Sequence, residues 1–529
     1  MAPSAQTPGP VPVPLLSRPG IKRDGTIFEG DFYIEGEWVR WKRGLPRKMA
    51  GYRQITDQAA GIVRGINSHP TDNELLIHLG AQATLEKINL NVNTFVPSTI
   101  FDRTPSGFAT DANNMWQFDQ IYDASASFTA GTTNLIAHAA PNALDIASVV
   151  AAPVYVGDIA ATGALTAIPS SDVSGGVVCL FPYLFIFGSD GYMAQSVANN
   201  PTDLTGAGSN QFRATSKKIV RGMPLRGGAA NAPSGLFWSL DSIIRASFVG
   251  GTPIFSFDTM SNQNGILAAN SVVEHDGIYY WIGLGRFMAF NGVVQELRND
   301  LNSDFFFENL NWPYRNKVFS FKVARYGEIW WCFPFGSSTE PDWAVIYNIP
   351  EQTWYDTPLP NGGRAAAENA ASYRFPLASG VATDSGGTSI LWQHEIGLDE
   401  ISGSPQSSKA IRSFFTTGDY SRIMPGGSVP PANRAFHVAI IEPDFVQAGD
   451  MTVQVVGNAN ARAATVASEI KTFPAVPNTP HEQVVMLKTQ RREMRFRFES
   501  NTLGGNYRLG QTLVHIEEAD GTILGGVEQ

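Results

Sequence analysis

This 529-residue chain is poor in cysteine, charge and histidine, and each shortage excludes something. Its two cysteines, Cys179 and Cys332, sit inside the apolar runs VVCLF and WWCFPF, so there is no disulfide framework; they read as buried thiols acting as small hydrophobes. Charged residues make up 16% of the chain, below the roughly 25% of an average soluble domain. The balance is acidic, net −10, which argues against gripping nucleic acid by neutralising phosphates, though not against a wall past which DNA slides. No uninterrupted apolar stretch of ~18 residues occurs, so no transmembrane helix is expected. The start, MAPSAQTPGPVPVPLL, is proline-rich without a basic n-region or an apolar h-region, and reads as an extended arm over residues 1–20 instead of a signal peptide. The 8 histidines show no metal-ligand spacing, and neither a G-x-S-x-G elbow nor a Walker A loop is present. The glycines of GLGRFMAFNG read as a hairpin turn. No catalytic residue, metal or cofactor is expected.

What is abundant is aromatic and β-branched sequence in short runs, punctuated by 51 glycines and 33 prolines. Residues 329–360, IWWCFPFGSSTEPDWAVIYNIPEQTWYDTPLP, hold three such runs separated by turn residues. Side chains of this kind suit a pleated, half-buried surface, and the runs are too short for a helix core. The same shape, an apolar run, a turn and a second run, begins at Leu75, Leu135, Leu184, Leu236, Tyr279, Ile329 and Ile390. A four-stranded antiparallel blade with its turns needs roughly 40–50 residues, close to these intervals. The fold class expected is therefore all-β: a β-propeller of six or seven blades over residues 59–403, with a large β-sandwich as the plainer alternative.

Residues 21–58 read as N-terminal strands that pack on the C-terminal domain or close the propeller. Residues 404–529 read as a β-sandwich of jelly-roll type. In EMRFRFES, Met494, Phe496 and Phe498 point one way while Arg495 and Arg497 point the other, a period of two that buries one face. Between Leu297 and Tyr314 the alternation breaks, and Asn302 or Ser303 is placed to cap a short helix carrying Phe305, Phe306, Phe307 and Leu310. The segment NGGRAAAENAAS, residues 361–372, reads as a loop or short Ala-rich helix.

Basic residues cluster twice. Arg40, Lys42, Arg43, Arg47, Lys48 and Arg53 form the denser group, and Lys488, Arg491, Arg492, Arg495 and Arg497 the other. The first group is either a solvated turn or a docking surface for an acidic partner subunit, with DNA phosphate a weaker option. Of the carboxylates, Glu274 beside His275 and Asp276 reads as a turn before Gly277, and Glu517-Glu518 as a solvated strand end. Asp384 to Thr388 resembles part of a sialidase turn box, but Ala382 replaces its serine and no second box occurs. Trp330, Trp331, Trp343 and Trp354 read as packing within or between blades before they read as sugar platforms.

Two segments at opposite ends of the chain resemble the tail hub, or nozzle, proteins of short-tailed, podovirus-type bacteriophages, also described as head-completion or packaged-DNA-stabilising factors. In GEWVRWKRGLPRKMAGYRQI the match is carried by Val39, Arg40, Trp41, Gly44, Pro46, Lys48, Gly51 and Tyr52. In RREMRFRFESNTLGGNYRLGQTLVHIE it is carried by Arg495 to Phe498, Ser500, Asn501, Gly504, Gly505, Tyr507 and Gly510. The resemblance implies a propeller-containing structural virion protein of the phage tail, assembled in the host cytoplasm. Six copies would form a homohexameric ring below the portal and adaptor. Double-stranded DNA would pass through the lumen without sequence-specific binding, a needle or plug would lie on the axis, and tail fibres or spikes would attach around it. The basic clusters would then face adaptor or neighbouring subunits, where charge complementarity sets partner choice. The competing expectation is a carbohydrate-binding or carbohydrate-cleaving propeller of a phage receptor-binding or depolymerase protein, which requires paired carboxylates in a central funnel.

Overall fold

The computed structural model of the chain describes residues 9–26, 32–111, 113–123, 131–141, 144–225, 232–370, 373–381, 389–420, 436–458, 463–475, 484–491 and 493–518. The sialidase-like stretch 384–388, Arg492, the Lys488 side chain and the start of the N-terminal arm lie outside the described residues.

The chain is all-β. Among the described residues, six antiparallel sheets of four strands follow one another along the chain, each a meander of consecutive strands. Their first strands are Gly65–Pro70, Met115–Tyr122, Gly176–Leu180, Ile219–Pro224, Val273–His275 and Phe319–Val323. A seventh sheet runs Ala366–Glu368, Leu377–Val381, Ser389–His394 and then takes its fourth strand, Tyr52–Ala59, from the beginning of the chain. That strand pairs antiparallel with Ser389–His394, Tyr52 opposite His394 and Thr56 opposite Leu391. The first strands follow one another in order, with the segment Ala269–Ser271 standing against the fourth where the fifth would be, and that of the seventh sheet lies against that of the first. The arrangement is propeller-like, with the first strands innermost.

Side chains chosen for size hold neighbouring sheets together. Trp116 of the second sheet is buried and donates its indole N–H to the carbonyl of Ala81 in the first, at 2.8 Å. Trp331 of the sixth donates to the carbonyl of Ser271 ahead of the fifth, at 3.0 Å, and stacks on Trp354 at 5.7 Å. Trp330 and Trp354 are buried as well, while Trp343 is half-buried, stacks on Phe335 and donates to Asp356. These four tryptophans are packing residues.

Two further sheets face each other beside the propeller-like unit. One has the order Val485–Arg491, Phe436–Ala448, Asn506–Glu518, Leu45–Lys48, Val39–Lys42. The other has the order Glu35–Glu37, Ser413–Thr416, Glu493–Ser500, Met451–Asn458, Val466–Ala467. Their inner faces share one apolar core, with Phe445 of the first sheet edge-on to Phe498 of the second at 5.7 Å. In Glu493–Ser500 the alternation holds as read: Met494, Phe496 and Phe498 are buried in that core. The same core runs on without a break into Trp330, Cys332 and Trp392 of the propeller-like unit, so the two units are packed as one body.

The described part of the arm is extended and paired within the chain: Val11–Leu15 pairs antiparallel with the last strand, Val11 opposite Ile516, and Arg18–Ile21 pairs with Phe32–Tyr33. Gly20 fixes its path, since at φ +109 it sits where a Cβ would come within 2.3 Å of Thr353 Oγ1. The Ala-rich segment is neither loop nor helix throughout, because Ala366–Glu368 is the innermost strand of the seventh sheet. The short helix Ser303–Asn309 is present, but Asn302 makes no capping bond; the carboxylate of Asp24, far away in sequence, accepts the N–H groups of Asp304 and Phe305 at 2.9 and 2.8 Å.

Candidate functional site

The basic residues singled out in the sequence do not form one surface. Arg40 is buried in the chain, where it donates to Glu395 at 2.8 Å and to Glu328 at 3.1 Å, with Tyr326 3.9 Å below its guanidinium. Glu328 is further held by the hydroxyl of Tyr355 at 2.7 Å and the indole of Trp330 at 2.9 Å. Burial works against the Arg40 charge, but Glu328 and Glu395 outweigh it and hold the guanidinium above its ordinary pKa. Arg40 therefore cannot meet a partner; it rivets the hairpin 39–48 to the sixth and seventh sheets. Lys48 is buried too, whereas Arg47 and Arg53 are half-buried and Lys42 and Arg43 are exposed. Arg53 lies over the Phe95 ring at 4.7 Å. In the C-terminal group, Arg495 is buried against Asn458, Arg497 covers Phe414 at 3.6 Å and pairs with Glu499 at 3.2 Å, and Arg491 is half-buried.

The segments 36–55 and 491–517 meet. The hairpin of Val39–Lys42 and Leu45–Lys48 joins the same sheet as Asn506–Glu518, Arg47 standing opposite Arg508. Asp399, just after the seventh sheet's third strand, lies between them. Its backbone carbonyl accepts the Tyr52 N–H at 3.2 Å, and its carboxylate accepts the Gly504 N–H at 2.9 Å. Gly51 passes so close that a Cβ there would stand 2.2 Å from the Asp399 carbonyl oxygen. The glycines and the basic hairpin of both segments thus serve one joint between the propeller-like unit and the sandwich.

The innermost strands enclose a polar cavity of about 460 Å³ on the propeller axis, to which all seven sheets contribute. Its acids are Asp119, Glu274 and Glu368; its cations are Arg221, Lys322, which pairs with Glu274 at 3.5 Å, and Arg64, which pairs with Glu340. Burial raises the Asp119 carboxyl to about 6, against the pull of backbone amides, and raises Glu368 to about 7, opposed by the Ser68 hydroxyl and by Arg221 and Lys322. Carboxyls tuned in this way are what acid–base chemistry uses. In the bonding, these residues and their neighbours also tie sheet to sheet. Asp119 accepts the Cys179 N–H at 2.7 Å, joining the second sheet to the third. Arg221 donates to Asn270 at 3.3 Å, joining the fourth to the lead-in of the fifth. Lys322 donates to the Glu274 carbonyl at 2.8 Å and its backbone N–H to Asn369 at 3.1 Å, joining the sixth to both neighbours. Ser68 donates to Glu368 at 3.3 Å, and Gln120 to Asn67 at 3.0 Å, so the first sheet is tied to the seventh and the second. With the Ile219 N–H donating to the Gly188 carbonyl at 3.0 Å, every seam of the ring carries a polar tie.

Glu274, read in the sequence as leading into a turn before Gly277, is buried and accepts the Gly277 N–H at 2.7 Å across that turn. Asp119 and Glu368 are not singled out by the sequence; they carry no motif and are the one acid in MWQFDQIY and in RAAAE, on inner strands. A lone acid amid apolar alternation was the available signal. Among the described residues no group of His, Cys, Asp and Glu is arranged to hold a metal ion, and Cys179 and Cys332 are free buried thiols. No family model and no curated protein matches this chain.

Proposed function

We propose that the chain is a structural virion protein of a short-tailed bacteriophage: the tail hub, or nozzle, a ring subunit that extends the DNA channel below portal and adaptor. The observation that carries this reading is the joint at Asp399. The two segments that resemble the tail hub family lie at opposite ends of the sequence, yet both converge on that residue. A subunit that must hold a ring under the load of packaged DNA needs its two units fixed relative to each other. The continuous core and the buried Arg40 ion pairs fit that need. Six copies would surround the genome's path, with fibres or spikes and a needle or plug as further partners. The net charge of −10 suits a lumen that does not retain DNA by ordered cations.

Mass photometry and negative-stain imaging of the purified chain, alone and with its portal and adaptor, test this. Rings of six that join the adaptor are expected. A monomer or trimer that never joins it overturns the proposal.

One observation favours a second reading, a glycan-binding or glycan-cleaving propeller: Asp119 and Glu368 line the axial cavity with raised pKa values. Both Asp119 oxygens, however, already accept backbone N–H groups, from Cys179 and Gln120. Release of reducing ends from host surface glycans, abolished by E368Q, would establish that reading in place of the first.

A further inference from the structure

A second cavity, of about 560 Å³, opens where the sandwich meets the propeller-like unit. Ligand sites favour such junctions. Its cations are Arg47 and Lys48 from the basic hairpin, Arg325 from the first turn of the sixth sheet, and Arg374 from the seventh. Its one acid, Glu395, is already engaged by Arg40. The guanidiniums are held in place on aromatic faces: Arg325 and Arg47 lie 5.4 and 5.5 Å from the Tyr326 ring centre, and Arg374 lies 4.4 Å from that of Phe375.

Lys48 gives the crevice its meaning. It is 3% exposed, and among the described residues its Nζ has no hydrogen-bond partner. The buried Nε–H of Arg47 is also unpaired. A buried ammonium without an anion costs several kcal/mol unless something neutralises it, and burial does push Lys48 down to about 8, with Asp399 only partly offsetting. Arg508, facing Arg47, adds to the excess of positive charge, in a chain that is otherwise acidic. A single carboxylate would leave most of these cations unmatched. Three guanidinium groups and an ammonium lining one crevice match in charge and donor number a tetrahedral oxyanion carrying two or more charges.

We propose that this junction crevice is a binding site for a phosphoryl group with at least two negative charges, with Lys48 as its buried counter-charge and Arg47, Arg325 and Arg374 as its clamp. The site stands independently of the ring reading: it concerns a ligand of the single chain, whatever that chain assembles into. A bound phosphoryl group would also touch both units at once, and so stabilise the joint between them.

Isothermal titration of the full chain with inorganic pyrophosphate tests it, with citrate at matched ionic strength as the carboxylate control. Saturable binding of pyrophosphate is expected, weakened about tenfold or more by K48M, and about tenfold by R374Q, an exposed position whose loss leaves the fold intact. Thermal unfolding supplies an independent readout. Pyrophosphate should raise the Tm of the wild-type chain and leave that of K48M unmoved, while unliganded K48M should melt no lower than wild type, since it sheds an unpaired buried charge. No saturable heat, citrate binding as tightly as pyrophosphate, or affinity unchanged in both K48M and R374Q would each overturn the assignment.

Discussion

Both carboxylate oxygens of Asp399 lie 2.9 Å from the backbone nitrogen of Gly504. The same residue's main chain is in contact with Gly51 and bonded to Tyr52, so the N-terminal hairpin, the seventh sheet and the last sheet strand of the sandwich are located by one residue. The contact with Gly51 is backbone against backbone and has no flexible atom that can yield.

Gly51→Ala should therefore destabilise by about 3 kcal/mol, as overpacking does. Asp399→Ala, which leaves the Gly504 N–H without its charged acceptor, should cost about 1–3 kcal/mol. Because Gly51 meets only the Asp399 main chain, which Asp399→Ala keeps, the double variant should lose close to the sum. Denaturant unfolding measures all three, and a neutral Gly51→Ala would remove the close approach from the account.

Arg40 predicts a larger loss. Arg40→Met leaves Glu328 and Glu395 without their cation, one of them fully buried, and should cost about 3–5 kcal/mol. Replacing all three, as Arg40→Met with Glu328→Gln and Glu395→Gln, should recover most of it, because the desolvation cost disappears with the charges. A triple variant less stable than Arg40→Met would mean that hydrogen bonding, through Tyr355 and Trp330, matters more than charge.

The remote cap of the helix Ser303–Asn309 is separable from both. Asp24→Ala should cost about 1 kcal/mol, the usual effect of losing an N-terminal cap. Asp24 lies between the two strands of the parallel pair, Arg18–Ile21 and Phe32–Tyr33, so limited proteolysis near residue 24 should quicken in the variant. Unchanged melting and cleavage would assign the cap to some other group.

The sequence carried the repeat well and the register of the last sheet poorly. Leu75, Leu135, Leu184, Leu236, Tyr279 and Ile329 each mark the second strand of a sheet, because that strand is apolar on both faces and stands out locally. Ile390 falls instead in the third strand of the seventh sheet, since the second, LASGV, is built of small residues and gives no such signal. The fourth strand there, YRQITDQA, pairs with residues more than three hundred positions away, a contact no local pattern encodes. The basic hairpin misled for a related reason. Arg40 looks like its neighbours until Glu328 and Glu395 arrive from two different sheets, and Lys42, two residues on, does face solvent.

Glu368 makes a prediction about pH. Its folded pKa is raised, by burial, from 4.5 to about 7. The folded state therefore holds this proton more tightly than the unfolded chain does. The resulting stability is complete below about pH 4.5 and is lost as pH climbs through about 7. Gln mimics the protonated side chain and keeps an acceptor for the Ser68 hydroxyl, so Glu368→Gln should match wild type near pH 4 and melt higher than it at pH 8. Asp119→Asn should behave differently despite a pKa raised in the same direction, to about 6. Both Asp119 oxygens accept backbone N–H groups, and an amide supplies only one acceptor, so this variant should melt lower at every pH. Melting curves of the two variants across this range decide the matter. If Glu368→Gln lowers the melting point at pH 8, the carboxylate is stabilised as an anion by Arg221 and Lys322, and the axial cavity holds a charged network instead of a protonated tie.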